Sequence, residues 1–273
     1  MNKILKYIYS LWVMVVFIVM LLIGFPVVLL VMLFPQKKRV IIMHHLMQGF
    51  SWTWFLLIGI YSKFYNKHII KEGESCILIP NHSSYLDAAL IYRAIDAVFL
   101  TLGKIEIAKV PLFGIIYKTI VVLVDRSSVI AKAKSFLQMT SVLEQGIDII
   151  VFPEGTFDEF DSDLKPFFDG AFRLALHAKK PLLPILFVDA RERLHPSSIF
   201  SFTPGACRIV YLPPIETAHL PKNCQSEIKD YAYEYMNTML NHCRANGCND
   251  SLAVAEKWRA ENKLVVNEVV HKK

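Results

Sequence analysis

The run from Leu11 to Phe34 carries no charged side chain, with Lys3 and Lys6 ahead of it and Lys37-Lys38-Arg39 behind it. It is longer than the roughly 20 residues a helix needs to cross a hydrocarbon core, while its basic flanks on both sides withhold an orientation. Gly24 and Pro26 fall inside the run, where proline removes a backbone donor and can bend or divide the helix. A second apolar stretch, Leu46 to Tyr61, contains Trp52, Trp54 and Phe55, side chains suited to the headgroup boundary. The pattern predicts two helices, either a hairpin dipping into one leaflet or one span followed by an interfacial helix. A cleaved leader fits poorly, because the apolar core is far longer than about 15 residues and no small-x-small site follows it directly.

After Lys71 the pattern changes to short apolar runs alternating with helical ones. Cys76 to Pro80, Ala97 to Thr101, Ile120 to Val124, Asp148 to Phe152, Leu182 to Val188 and Cys207 to Leu212 have strand length and composition. Ala88 to Ile95, Val129 to Gln145, Gly170 to Ala178 and Cys224 to Asn241 read as helices. Ser127-Ser128 and Gly146 cap the second of them, and Asn246-Gly247 marks a turn closing the domain. This rhythm predicts an α/β fold, a mixed sheet covered by helices. We expect residues 1–62 to form a membrane-anchoring two-helix region, 63–248 a catalytic domain, and 249–273 a peripheral C-terminal segment.

Composition sharpens that boundary. The hydrophobic fraction is 54%, with the excess concentrated near the start of the chain. A net charge of +6 favours anionic lipid, an acidic carrier protein or nucleic acid. No zinc-finger spacing or basic-aromatic RNA signature accompanies the charge, so nucleic acid is not expected as a partner. The five cysteines, Cys76, Cys207, Cys224, Cys243 and Cys248, include no CxxC pair. They fit free thiols in a reducing cytoplasmic setting better than a disulfide framework or a thiolate metal site.

Candidate chemistry begins at His82, just beyond the buried run Cys76 to Pro80, with Asp87 five positions later. A turn between them can bring the carboxylate back to the imidazole, giving a general base held in one tautomer. The alternative is an Asn81 cap beside a satisfied histidine. Phe152-Pro153-Glu154-Gly155-Thr156 ends another apolar strand. There Gly155 permits a close backbone approach to an anionic group, and Glu154 suits the orientation of a basic residue or an acceptor hydroxyl. Arg126 closes the run Val121 to Arg126 and offers a bidentate fork for phosphate, with Lys104 and Lys109 as further positive charges. His44-His45 has no carboxylate or cysteine at ligand spacing, so no metal is expected and an interfacial position is. His177 suits a helix C-terminus, and the acidic residues from Asp158 to Asp163 suit a solvated loop.

In order along the chain, these blocks resemble the glycerolipid acyltransferase family, and within it the bacterial 1-acyl-glycerol-3-phosphate acyltransferases. Asn81-His82 through Asp87 matches the NHxxxxD signature. Lys104 with Val110-Pro111 and Gly114, then Val124-Asp125-Arg126, match the arginine-motif region, Phe152 to Thr156 the FPEGT block, and Lys180 to Pro184 the fourth block. The resemblance covers residues 76 to about 190. It implies that His82 deprotonates a glycerol hydroxyl attacking an acyl thioester, with Asp87 as orienter and no acyl-enzyme. It also implies that Arg126 and Lys104 bind acceptor phosphate in a pocket shaped by Glu154, Gly155 and Thr156.

The expected donor is acyl-ACP or acyl-CoA, the product phosphatidic acid, and the location the cytoplasmic side of an inner membrane; no cofactor is expected. Ile120 and Phe157 depart from the family pattern, standing where many relatives have glycine and arginine or serine, which leaves the acceptor less fixed than the reaction. The other expectations are a different lyso-lipid acceptor, a lysophospholipid or an acylated amino-acid lipid, or a non-catalytic lipid-binding protein on the same scaffold.

Overall fold

The computed structural model describes residues 2–70, 73–124, 128–156 and 164–262. The chain divides into two compact units, each assembled from separate segments. The first comprises Met1–Ser62, Ser84–Leu137 and Asp189–Cys207, and the second Lys63–Ser83, Gln138–Val188 and Arg208–Lys273.

In the first unit, α1 (Lys3–Val31) and α2 (Gln36–Leu57) form a hairpin. Asn2 caps α1, its side chain accepting from the Ile4 N–H. Pro35 sits immediately before α2, where its fixed φ suits a helix start. Arg39 turns back from the first turn of α2 and donates to the carbonyls of Met32 and Phe34 at 3.0 and 3.1 Å, satisfying orphan acceptors at the end of α1. The basic cluster after the apolar run therefore closes the hairpin. Much of the surface of α1 is exposed isoleucine, leucine, valine and tryptophan, a surface that water does not favour. It is the one helix among the described residues long and apolar enough to cross a membrane.

The other side of the hairpin is packed. Ser51 Oγ donates to the Ala89 carbonyl at 2.8 Å and Gln48 Nε2 to that of Ile95 at 3.0 Å, tying α2 to α3 (Asp87–Ala94). The buried Arg93 guanidinium lies 3.7 Å from the ring centroid of the half-exposed Trp52, a cation–π contact. Two parallel strands, β3 (Phe99–Lys104) and β4 (Val121–Val124), pair with Thr101 opposite Val121 and Lys104 opposite Val124. Between them lie a 3₁₀ helix (Ile105–Lys109) and α4 (Phe113–Ile120). Ser128 opens α5 (Val129–Glu144) by accepting from the Ala131 N–H.

In the second unit, β2 (Ile77–Pro80) lies between β5 (Asp148–Ile150) and β6 (Leu182–Phe187), parallel to both, with Ile77 opposite Ile149 and Leu182. Every residue of these three strands is buried, so their sequences read as unbroken apolar runs rather than alternations. The next strand, β7 (Gly205–Tyr211), pairs antiparallel to β6, with Leu186 opposite Val210. The sheet is thus mixed, as expected. Helix α6 (Gly170–Ala178) packs against α8 (Gln225–Asn246), which buries Tyr235, Met236, Met239 and Leu240. Trp258 of α9 (Ser251–Glu261) stacks on Tyr235 with ring centroids 5.0 Å apart.

At the N-terminal hairpin two boundaries differ from expectation. The second helix begins at Gln36, well before Leu46, so His44 and His45 lie within it, and His44 is buried against Tyr92 and Phe99 rather than interfacial. The apolar stretch also ends earlier, because Gly59 at φ +65° turns the chain into β1 (Ile60–Tyr65). Three further short elements, α4, β1 and α7 (Ala190–Arg193), have no counterpart in the pattern reading. For α4 the reason is plain: its apolar residues run into β4 with no turn residue between.

Near the start of β2 a carboxylate is buried. Asp148 accepts from the Cys76 N–H at 2.9 Å, and burial holds its pKa above the ordinary carboxylate range. The folded state therefore binds this proton more tightly than the unfolded chain, and stability falls as pH rises from about 4 through the raised pKa. Asp148→Asn keeps an oxygen acceptor for Cys76 and carries no charge. Thermal melts in detergent between pH 4 and pH 7 are expected to lose this slope, leaving the variant more stable than wild type at pH 7. A wild-type advantage at pH 7 would show that the charged form is the favoured one.

Candidate active site

The end of β2 sets the position of His82. The Asn81 N–H donates to the Ile185 carbonyl at 3.3 Å, continuing the ladder to β6. Its side chain extends that ladder: Oδ1 accepts from the Phe187 N–H at 2.7 Å and Nδ2 donates to the Phe187 carbonyl at 3.3 Å. A side-chain amide thus stands where the next strand residue would pair. The main chain is freed from the sheet one residue before the histidine.

The freed N–H of His82 is taken up by Glu154. Its Oε1 accepts from that N–H at 2.6 Å, and its Oε2 accepts from the Lys165 N–H at 2.9 Å. Charge-assisted bonds of this kind are the stronger class, and at 4% exposure the carboxylate is shielded from competing water. The His82 ring lies on the Phe152 ring, centroids 4.1 Å apart at 28°. One short segment therefore holds the histidine twice, through its backbone and through its ring. The turn is tight: the Gly155 N–H donates to the Phe152 carbonyl at 3.1 Å, and Gly155 adopts φ +72°, which favours glycine. Thr156 follows, its N–H donating to the Glu154 carbonyl at 2.8 Å.

Asp87 belongs to the first unit, where it opens α3 and is fully buried. Its Oδ2 accepts from the Ser84 N–H at 2.9 Å, and its N–H donates to the Ser84 carbonyl at 3.2 Å, closing the turn on itself. Ser84 Oγ donates to the Leu194 carbonyl at 2.7 Å and accepts from the Leu86 N–H. This pins the turn to the segment after α7 and leaves Ser84 a structural position. Lys104 ends β3, opposite the last residue of β4. The structure thus places His82, Glu154, Gly155 and Thr156 in the second unit, and Asp87 and Lys104 in the first. Arg126 lies outside the described residues, as do Phe157 and the acidic residues Asp158 to Asp163. His177 lies exposed in the last turn of α6.

Residues 62–188, which contain His82, Asp87 and the turn at Glu154, match the family model described as Acyltransferase. Over these residues the chain is similar to the glycerolipid acyltransferase family. It is 31% identical over 158 residues to an uncharacterized acyltransferase of Schizosaccharomyces pombe, covering 57% of this chain and 56% of that protein. It is similar to the 1-acyl-sn-glycerol-3-phosphate acyltransferase of Cocos nucifera at 31% identity, over 54% of this chain and 47% of the relative. The human 1-acyl-sn-glycerol-3-phosphate acyltransferase alpha is 26% identical, over 70% of this chain and 68% of its own length. The chain spans about half the length of the first of these relatives. In fold it is similar to the crystal structure of the 1-acyl-sn-glycerophosphate acyltransferase of Thermotoga maritima. The TM-score is 0.75 at 21% identity, over 90% of this chain and 99% of the other.

The matched region contains both strand-end blocks, and the geometry gives two of their residues roles that motif reading does not supply. Asn81 reads in sequence as a helix cap but acts as a strand surrogate. Phe152 reads as the last apolar residue of a strand but is the platform for the His82 ring. Glu154 also accepts from two backbone N–H groups, partners that its sequence block does not name.

Proposed function

We propose that this protein transfers a fatty acyl group from acyl-ACP or acyl-CoA to the sn-2 hydroxyl of 1-acyl-sn-glycerol 3-phosphate, giving phosphatidic acid. The supporting observation is the seating of His82, fixed by Glu154 and Phe152 at the end of a buried parallel strand. Such a base is preorganised in position. An imidazole nitrogen takes the hydroxyl proton as the oxygen attacks the thioester carbonyl. The tetrahedral intermediate collapses, the C–S bond breaks, and the imidazolium returns its proton to the leaving thiolate. Asp87 orients the ring and favours the imidazolium. Arg126 and Lys104 hold the acceptor phosphate, Gly155 and Thr156 shape the pocket, and Glu154 acts through the main chain of His82.

The anchor belongs to the same proposal. At about 1.5 Å per residue α1 is long enough to span a bilayer, but both of its ends are tied to the first unit. Ser10 Oγ near one end accepts from the Phe202 N–H at 3.2 Å, and Met32 at the other end receives the Thr119 hydroxyl at 3.9 Å. This supports a helix lying in one leaflet, with residues 1–62 as the anchor and the chemistry downstream. The five free cysteines suit a reducing, cytoplasm-facing setting, and the location proposed is the cytoplasmic side of an inner membrane.

Phe157 favours a second reading in which the acceptor is another lyso-lipid, a lysophospholipid or an acylated amino-acid lipid. Purified protein in detergent, given acyl-CoA or acyl carrier thioester and a panel of lyso-lipids, separates the two. Lysophosphatidic acid is expected to be used best, and Arg126→Ala to raise its KM by roughly 10- to 100-fold, the worth of a charged hydrogen bond, with less effect on the donor. Equal use of acceptors lacking a phosphate monoester would favour the second reading, and unchanged acceptor kinetics would remove Arg126 from the site.

A further inference from the structure

The segment between β3 and β4 has a surface that the proposed chemistry leaves unused. Within it the inward side is closely packed: Ala108, Gly114, Ile116 and Tyr117 are buried, and a Cβ on Gly114 would come within 2.4 Å of the Ala108 carbonyl oxygen. The outward side carries Ile105, Ile107, Val110, Leu112, Phe113 and Ile115, each between 36% and 48% exposed. Scattered apolar residues are ordinary on a protein surface, but six large ones within eleven residues form a patch that marks an interaction. Leu112 is held at φ +61°, a backbone region that L side chains rarely adopt, and its side chain gains no burial there.

Two observations identify the occupant. The first is charge: Lys104, Lys109 and Lys118 lie in and beside the segment, with Glu106 as its one acid. Lysines beside aliphatic side chains suit an anionic lipid surface, where the apolar groups enter the acyl boundary and the ammonium groups meet headgroups. A two-fold contact between copies would instead face these lysines with themselves. The second is continuity. Helix α4 packs on α2, and Thr119 touches Met32, so the patch adjoins the hairpin turn, where Leu33 and Phe34 are exposed. We propose that the 3₁₀ helix and the start of α4 form a second membrane contact, seated in the headgroup region of anionic lipid beside the hairpin. This rests on the reading of the protein as an interfacial enzyme, and it places Lys104 at the edge of the lipid surface.

The test uses the full-length chain, whose natural cysteines are all buried. Val110→Cys carrying an environment-sensitive fluorophore is bound to phosphatidylcholine vesicles with and without phosphatidylglycerol, some containing nitroxide-labelled lipid. The label is expected to shift to an apolar spectrum and to be quenched by nitroxide near the headgroups, more strongly with phosphatidylglycerol. Glu234→Cys on α8 is the polar reference and is expected to keep its aqueous spectrum. An aqueous spectrum at Val110 on bound protein, or a response only to a second labelled copy or to an acyl carrier protein, would overturn the proposal. No substrate is present, so this result is independent of the assigned reaction. In a second arm, Ile107→Asp/Val110→Asp is expected to lower turnover of bilayer-embedded acceptor by about tenfold and to leave turnover of water-dispersed acceptor unchanged. Equal loss on both forms would assign the patch to folding or chemistry and sink the membrane contact.

Discussion

His82→Ala is expected to lower acyl transfer by about 10²- to 10⁴-fold, the usual contribution of a positioned general base. The fold should tolerate it, because the bond to Glu154 comes from the backbone N–H of residue 82, which alanine keeps. The variant loses the ring contact with Phe152, so a modest drop in melting temperature should accompany the kinetic loss. Lipid binding by flotation should be unchanged. Initial rates with saturating donor and acceptor, taken alongside circular dichroism, make the comparison. A folded variant retaining near-wild-type turnover would exclude His82 as the base.

Glu154→Ala is expected to damage both stability and rate. It removes a buried acceptor from the half-buried N–H groups of His82 and Lys165, and a donor left unsatisfied costs up to about 1–3 kcal/mol. Glu154→Gln should fall between: its carbonyl serves one donor, while its NH₂ group meets the other with the wrong polarity. Denaturant unfolding is expected to rank wild type above Gln and Gln above Ala. The pH dependence of turnover for Glu154→Gln separates positioning from chemistry. A carboxylate acting through the backbone of His82 lowers kcat without removing a limb of the profile. Loss of one limb, with stability intact, would make Glu154 a proton-transfer group instead.

The two strand-end blocks were legible because they obey simple chemistry: buried parallel strands are continuous apolar runs, and a polar residue just beyond one must stand at the sheet edge. His82 and Glu154 are both found this way. Their mutual contact was not legible, since nothing in Phe152-Pro153-Glu154 says that its carboxylate reaches a main-chain N–H 72 positions earlier. Asn81 was misleading for a related reason, because asparagine caps helices often and extends strands seldom. At the N-terminus, composition gave the long apolar helix but not the start of the second, since Lys37, Lys38 and Arg39 resemble a loop between membrane segments. What makes them helical is Pro35 before them and the carbonyls at the end of α1 that Arg39 caps.

The packing of α2 against α3 bears on any attempt to obtain this protein without its hydrophobic front. Cutting after residue 62 looks natural from composition. The cut would take Ser51 from the Ala89 carbonyl, Gln48 from that of Ile95, and Trp52 and Phe55 from the Arg93 guanidinium. All of that damage falls on the eight-residue helix that begins with Asp87 and on the Ile95 cap that ends it. A water-soluble version is therefore a redesign problem rather than a trimming problem. The outer face of α1 can be recoloured with polar side chains, but α2 has to stay.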